Sequence, residues 1–166
     1  MLFVCTTQGC ISDEDPKGPS LSVGDSLPDI SIVMNNGDIV STASLMGKVS
    51  VIVFFNTNCS DCRKELPVIQ SLWEEFKDSD IVILPIARDE SAEEIESYWQ
   101  YNGFTMPYSP QNDRKVYNLF AQSVIPRVYI ANTQGVLTSI FDDDKDLPSL
   151  ENLKEAIIAA NKYPNP

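Results

Sequence analysis

The sequence predicts an α/β domain: a central mixed β-sheet with helices on both faces and a short β-hairpin ahead of it. Two observations carry this. The run Val49 to Phe55, "VSVIVFF", is almost continuously apolar and β-branched, as a strand buried on both faces requires. Directly after it, Leu66, Ile69, Leu72, Trp73 and Phe76 recur three or four residues apart, the spacing of an amphipathic helix. A strand that hands over at once to a helix, followed by a second β-run, implies layered sheet and helices.

The remaining elements follow in order. In "VGDSLPDISIVMNNGDIVS", apolar residues flank Asn35-Asn36-Gly37-Asp38, a turn signal, so the segment reads as a hairpin. "SLMGK", Ser44 to Lys48, is a tight connector. Pro67 lies inside the helical pattern after the central strand and should kink it, because it removes an amide donor. "DIVILPIA", Asp80 to Ala87, is the second core strand, and "SAEEIESYWQYNG" is a helix opened by a capping-box pattern at Ser91 and closed by Gly103. "DRKVYNLFAQ" gives a shorter helix, "IPRVYIANTQGVLTSIF" two strands joined at Asn132 to Gly135, and "SLENLKEAIIAANK" a closing amphipathic helix. Aromatic residues on these helices belong to the core by default.

At 166 residues the chain has length for one domain with a sizeable core. We divide it into a leader and flexible tether over residues 1–22 and the folded domain over 23–166. Twelve basic against twenty-four acidic residues leave a net charge of -12, which makes nucleic acid a poor partner. There is no histidine. That excludes Ser-His and Cys-His catalysis and every mixed Cys/His zinc site, and leaves proton transfer to carboxylates, lysines, tyrosines, thiols or water. A four-thiolate zinc site over Cys5, Cys10, Cys59 and Cys62 fits no common zinc spacing. No metal or organic cofactor is implied.

The pair in "NCSDCRKELP" carries the chemistry. Two thiols separated by two residues at the first turn of a helix can close a small disulfide ring. The attacking sulfur must be a thiolate, and the free amides and positive dipole end of a helix start stabilise that anion without a basic side chain. Cys59, at the helix tip, is the expected nucleophile. Cys62, one turn inward and more buried, is the expected resolving thiol. Two inert buried thiols are the alternative, although such cysteines need neither a helix tip nor a polar pair between them.

The stretch from Gly24 to Phe76, with Gly24-x-x-x-Pro28, Gly47-Lys48 before the central strand and Cys59-x-x-Cys62-x-x-Glu65-x-Pro67, resembles the TlpA/ResA branch of the thioredoxin family. The resemblance extends through "SVIPRVYIANTQGVL" to the end of the chain. It implies a thioredoxin-like fold and an extracytoplasmic thiol-disulfide oxidoreductase, periplasmic or in the cell envelope. Its partners would be disulfide-containing protein substrates and an upstream thiol electron donor. By position, Cys59 corresponds to the family's nucleophile, Cys62 to its resolving thiol and Pro126 to its cis-proline. Ile125 would then offer backbone groups to an extended substrate strand. Glu65 falls where this branch places an acidic residue near the site, on the helical face of Cys62 one turn along. It is read either as proton acceptor for Cys62 or as a solvated helix carboxylate.

Three departures bear on the chemistry. Asn58 stands where the family usually has Trp, which makes the substrate side of the site more polar. Ser60-Asp61 replaces the common proline-containing pair, and an ionised Asp61 would oppose a thiolate on Cys59. Arg127 stands where relatives commonly carry Thr and would bring a cation towards the sulfur. At the N-terminus, "TQGC" resembles a bacterial lipoprotein processing site in which Cys10 would be lipidated and Ser12 to Ser20 would tether the domain off a membrane; Thr7 occupies the place of the usual Leu. Two other functions share the fold. One is a peroxiredoxin-like peroxidase, although the Pro-x-x-x-Thr-x-x-Cys stretch of that chemistry is missing and Thr57 lies two residues before Cys59. The other is a peptide-binding module with incidental thiols. If Asp61 dominates, the reduced form is destabilised and the protein is a strong reductant. Its potential should then lie nearer the thioredoxin value of about -270 mV than the DsbA value of about -120 mV. Equilibration with a glutathione redox buffer measures this, and a potential above about -180 mV would reject it.

Overall fold

The computed structural model describes residues 20–142 and 147–162. The hairpin is formed by β1 (Ser31–Val33) and β2 (Ile39–Ser41), antiparallel, with Val33 opposite Ile39. Its turn closes through Met34 N–H to the Asp38 carbonyl, with Gly37 at φ 90°, a conformation only glycine adopts freely. A one-turn helix, α1 (Thr42–Leu45), follows where the sequence suggested only a connector. Ser41 and Ser44 cap one another reciprocally, which is enough to close a single turn.

The main sheet has four strands in the order β4-β3-β5-β6: β4 (Ile81–Ala87), β3 (Val49–Phe55), β5 (Arg127–Ala131) and β6 (Leu137–Asp142). β3 runs parallel to β4 and antiparallel to β5, so the sheet is mixed as expected. All seven residues of β3 are buried, which explains why neither face of that run tolerates a polar alternation. Pro85 is admitted within β4 because β4 is the outer neighbour of β3, where a missing amide breaks no central ladder. Its carbonyl still accepts from Ser109 N–H at 2.9 Å.

Helices cover both faces. Successive strand residues point to opposite sides. Phe54 meets Tyr117 and Phe120 edge-on at 5.3 and 4.9 Å, while Phe55 lies 5.2 Å from Trp99. Tyr117 belongs to α4 (Lys115–Asn118) and Trp99 to α3 (Ala92–Asn102). α3 opens on the expected Ser91–Glu94 capping box and ends at Gly103 with φ 68°. α4 is a single turn, shorter than its sequence pattern, and Arg114 before it supplies no capping side chain. α5 (Leu150–Asn161) packs against α2 (Ser60–Phe76) and is tied to it by Lys154 and Glu75 at 2.8 Å. α2 continues through Pro67 without interruption.

Leu21 already belongs to the folded body: its amide donates to the Phe120 carbonyl at 2.9 Å. The body thus starts slightly before the expected boundary at 22/23. Cys5, Cys10 and the acidic spacer up to residue 19 lie outside the described residues. No helix among the described residues is long and apolar enough to cross a membrane.

Buried Gln70 on α2 fixes the turn after α3. Its Oε1 accepts from the amides of Thr105 and Met106, both at 3.0 Å, and its Nε2 donates to Thr105 Oγ1 at 2.8 Å. Removing this side chain strands two amides, one of them buried. Gln70→Ala should therefore destabilise by about 2 kcal/mol in urea unfolding, more than a surface polar-to-alanine change.

Candidate active site

The site is assembled where β3 ends and α2 begins, and Asn56 organises the handover. Its carbonyl accepts from Cys59 N–H at 3.1 Å and its Oδ1 from Asn58 N–H at 2.8 Å. Its Nδ2 donates to the carbonyls of Arg88 and Asp89 at the end of β4. Thr57, between them, is buried and bonded through both amide and hydroxyl to the buried Glu90 carboxylate. Nothing in the sequence pattern singled out Asn56 or Glu90. Each acts on a residue more than thirty positions away, which no local spacing reveals.

This loop delivers Cys59 as the N-cap of α2, half-buried, with its sulfur accepting from Cys62 N–H at 3.3 Å. An N-terminal amide aimed at the sulfur is the anion-stabilising contact expected of the helix start. The Cys59 thiol also reaches the Ile125 carbonyl, at 3.6 Å. Ile125 and Pro126 are joined by a cis peptide, so the expected cis-proline segment does stand beside the nucleophile. Both cysteines are free thiols here.

Cys62 is completely buried. Burial pushes its thiol far above the ordinary range, and the hydrogen bond to Cys59 adds to that; the Asn56 backbone and the charge of Arg88 pull the other way. Cys62 thus holds its proton until something removes it. Glu65 is 1% exposed, and neither carboxyl oxygen has a hydrogen-bond partner among the described residues. Burial alone raises its pKa from 4.5 to about 7. The solvated-carboxylate alternative is therefore wrong for this position: the side chain faces the interior.

The other expected residues divide. Asn58 and Ser60 are exposed at the rim. Asp61 is paired with Lys64 at 2.7 Å, so a cation offsets much of its opposition to a thiolate on Cys59. Arg127 is not the cation beside the sulfur. Its guanidinium is buried and engaged with Asp142 at 3.4 Å and with the Ser123 carbonyl at 3.2 Å. The cation whose charge is felt at Cys62 is Arg88, which follows β4.

A family model described as the AhpC/TSA family matches residues 23–140. The chain belongs to the AhpC/TSA family. Within it the chain is of the thioredoxin-like TlpA/ResA type. It is 25% identical over 121 residues to the thiol-disulfide oxidoreductase ResA of Bacillus subtilis, covering 73% of this chain and 68% of that one. The thioredoxin fold is shown by likeness to solved structures. A thiol:disulfide interchange protein of the thioredoxin family from Chlorobium tepidum superposes with a TM-score of 0.71 at 20% identity, over 85% of this chain and 99% of its own. The thioredoxin domain of a thiol-disulfide oxidoreductase from Bacteroides vulgatus gives 0.71 at 21% identity, over 86% and 100%.

The raised ionisation of Glu65 has a stability consequence. Between pH 4.5 and about 7 the unfolded chain has released this proton and the folded chain has kept it. Stability therefore falls as pH rises through that window and is lowest above it. Glu65→Gln, which cannot ionise, should be more stable than the parent near pH 8 by up to about 3 kcal/mol, relative to their difference near pH 4. Thermal unfolding of both proteins across this range checks it, and a pH-independent difference would show that Glu65 ionises normally.

Proposed function

We propose that this thiol-disulfide oxidoreductase works as a reductant of protein disulfides. The observation that supports this reading best is the Cys62 amide aimed at the Cys59 sulfur, with the Ile125 carbonyl beside the same atom. The thiolate of Cys59 attacks one sulfur of a substrate disulfide; that S–S bond breaks, a mixed disulfide forms, and the first substrate thiolate leaves. Cys62 then gives up its proton and attacks Cys59 Sγ. The second substrate thiolate leaves and a Cys59–Cys62 disulfide remains. Two electrons have passed to the substrate, and an upstream thiol donor restores the dithiol. No metal or organic cofactor enters this cycle.

Glu65 is the proton acceptor for Cys62 in the second step. It lies one turn along the same helix, is desolvated, and changes charge near neutrality. Ile125 and Pro126 present backbone to an extended substrate segment, with Asn58 at the polar rim. Ser60 and Asp61 modulate the attacking sulfur, Asp61 only weakly while Lys64 holds it. Arg127 supports the segment from behind through the Ser123 carbonyl rather than touching substrate. We place the protein outside the cytoplasm, in the periplasm or cell envelope. Lipidation of Cys10, which would make it membrane-tethered, is tested by mass spectrometry of the native N-terminus.

The peroxidase alternative needs a free threonine hydroxyl to orient peroxide. The Thr57 hydroxyl is instead committed to Glu90.

Cys59→Ser should abolish insulin reduction. Cys62→Ser should accumulate a mixed disulfide with the natural substrate, visible as a reductant-sensitive adduct on non-reducing gels. A peptide-binding module with incidental thiols predicts the opposite: full function in Cys59→Ser and no adduct in Cys62→Ser.

A further inference from the structure

The chain has four arginines, at 63, 88, 114 and 127. Arg127 is neutralised by Asp142. The other three have no carboxylate partner among the described residues. They are stacked on tyrosines: Arg63 at 5.7 Å from the Tyr98 ring, and Arg88 and Arg114 at 5.2 and 5.5 Å from the same Tyr117 ring. A chain with twice as many acidic as basic residues could have paired them readily. Nearby acids are otherwise engaged or absent from reach: Asp113 holds Lys115 at 2.8 Å, Glu90 holds Thr57, and Asp89 makes no ion pair with either guanidinium.

Tyr117 connects these cations to the substrate edge. Its hydroxyl bonds to the carbonyls of Ser123 and Val124, the latter directly before Ile125, whose own carbonyl meets Cys59. Arg114 reaches the same segment by donating to the Gln122 carbonyl at 2.7 Å, while its buried Nε has no acceptor among the described residues. Arg88 and Arg114 are both half-buried, so a carboxylate arriving there meets less screening than on open surface. Stacking fixes the plane of a guanidinium. Arg88 makes no side-chain hydrogen bond among the described residues, so its N–H edge can take a carboxylate fork, while Arg114, bound to Gln122, adds a second charge on the same ring.

We infer that Arg88 and Arg114, held on Tyr117, form a recognition site for an acidic side chain flanking the cysteine of a protein substrate. This rests on the oxidoreductase reading and specifies its substrates as protein segments with Asp or Glu beside the disulfide. The net charge of -12 works against such segments at long range. A preference for them must therefore arise locally, from these two arginines.

The test uses pre-reduced protein in single turnover with synthetic peptides, each closed by one disulfide flanked by Asp-Glu or by Lys-Lys. The acid-flanked peptide should react about tenfold faster at low salt, the combined effect of gained attraction and avoided repulsion. The ratio should collapse towards one in 1 M salt, where the screening length is about 3 Å. Arg88→Gln/Arg114→Gln should bring the ratio to one or below, and Arg88→Lys should retain part of it. If the double variant does not fold, Arg88→Gln alone must lower the ratio. A wild-type ratio of one or less, or a ratio the variants leave unchanged, overturns the proposal while the oxidoreductase reading stands. Failure of wild type to react with either peptide overturns both. Oxidised glutathione, which has carboxylates but no extended strand, should react no faster than neutral hydroxyethyl disulfide; a tenfold advantage would assign the site to small anionic disulfides and overturn the protein-segment reading.

Discussion

The site depends on one contact, the Cys62 amide pointing at the Cys59 sulfur at the start of α2. A helix amide points there only if the helix begins at a defined residue, and α2 begins where it does because β3 ends in a loop that cannot slip. Asn56 accepts from the amides of Asn58 and Cys59 through its side-chain and main-chain oxygens, and its amide nitrogen is anchored on the carbonyls that follow the neighbouring strand. The strand behind it is buried along its whole length, so its register is set by packing on both faces. Sheet, loop and helix start are one rigid positioning device for a single sulfur.

A chain without histidine must find another group that changes charge near neutrality. Here burial does the work twice. It keeps Cys62 protonated and raises Glu65 to about 7. The rise of Glu65 makes it a stronger base, while the rise of Cys62 opposes the transfer, so the thiol gives up its proton only as its sulfur attacks. The same desolvation costs stability, since Glu65 is buried without a hydrogen-bond partner among the described residues. Such an expense persists where function, not packing, selects the residue.

Much of this was legible from local pattern. The apolar run of β3, the period of α2, the hairpin turn, the capping box of α3 and the Cys-x-x-Cys pair are all short-range features, and the structure keeps each near its expected place. The cis peptide before Pro126 was expected from the resemblance alone. What local pattern could not show is long-range pairing. Glu65 reads as an ordinary helix carboxylate until its burial is known. Arg127 looks like the cation for the sulfur until Asp142 claims it from the adjacent strand, whereas Arg88 arrives through the parallel pairing of β3 with β4. One-turn α1 and shortened α4 depend on capping details too small for periodicity to register.

The Glu90 carboxylate that grips Thr57 sits immediately before Ser91, the cap of α3. One residue thus separates the grip on the loop from the first turn of an eleven-residue helix. α3 is in effect a lever arm bolted to the nucleophile's mount. The first turn of α3 and the loop that carries the nucleophile are therefore anchored to each other through a single carboxylate.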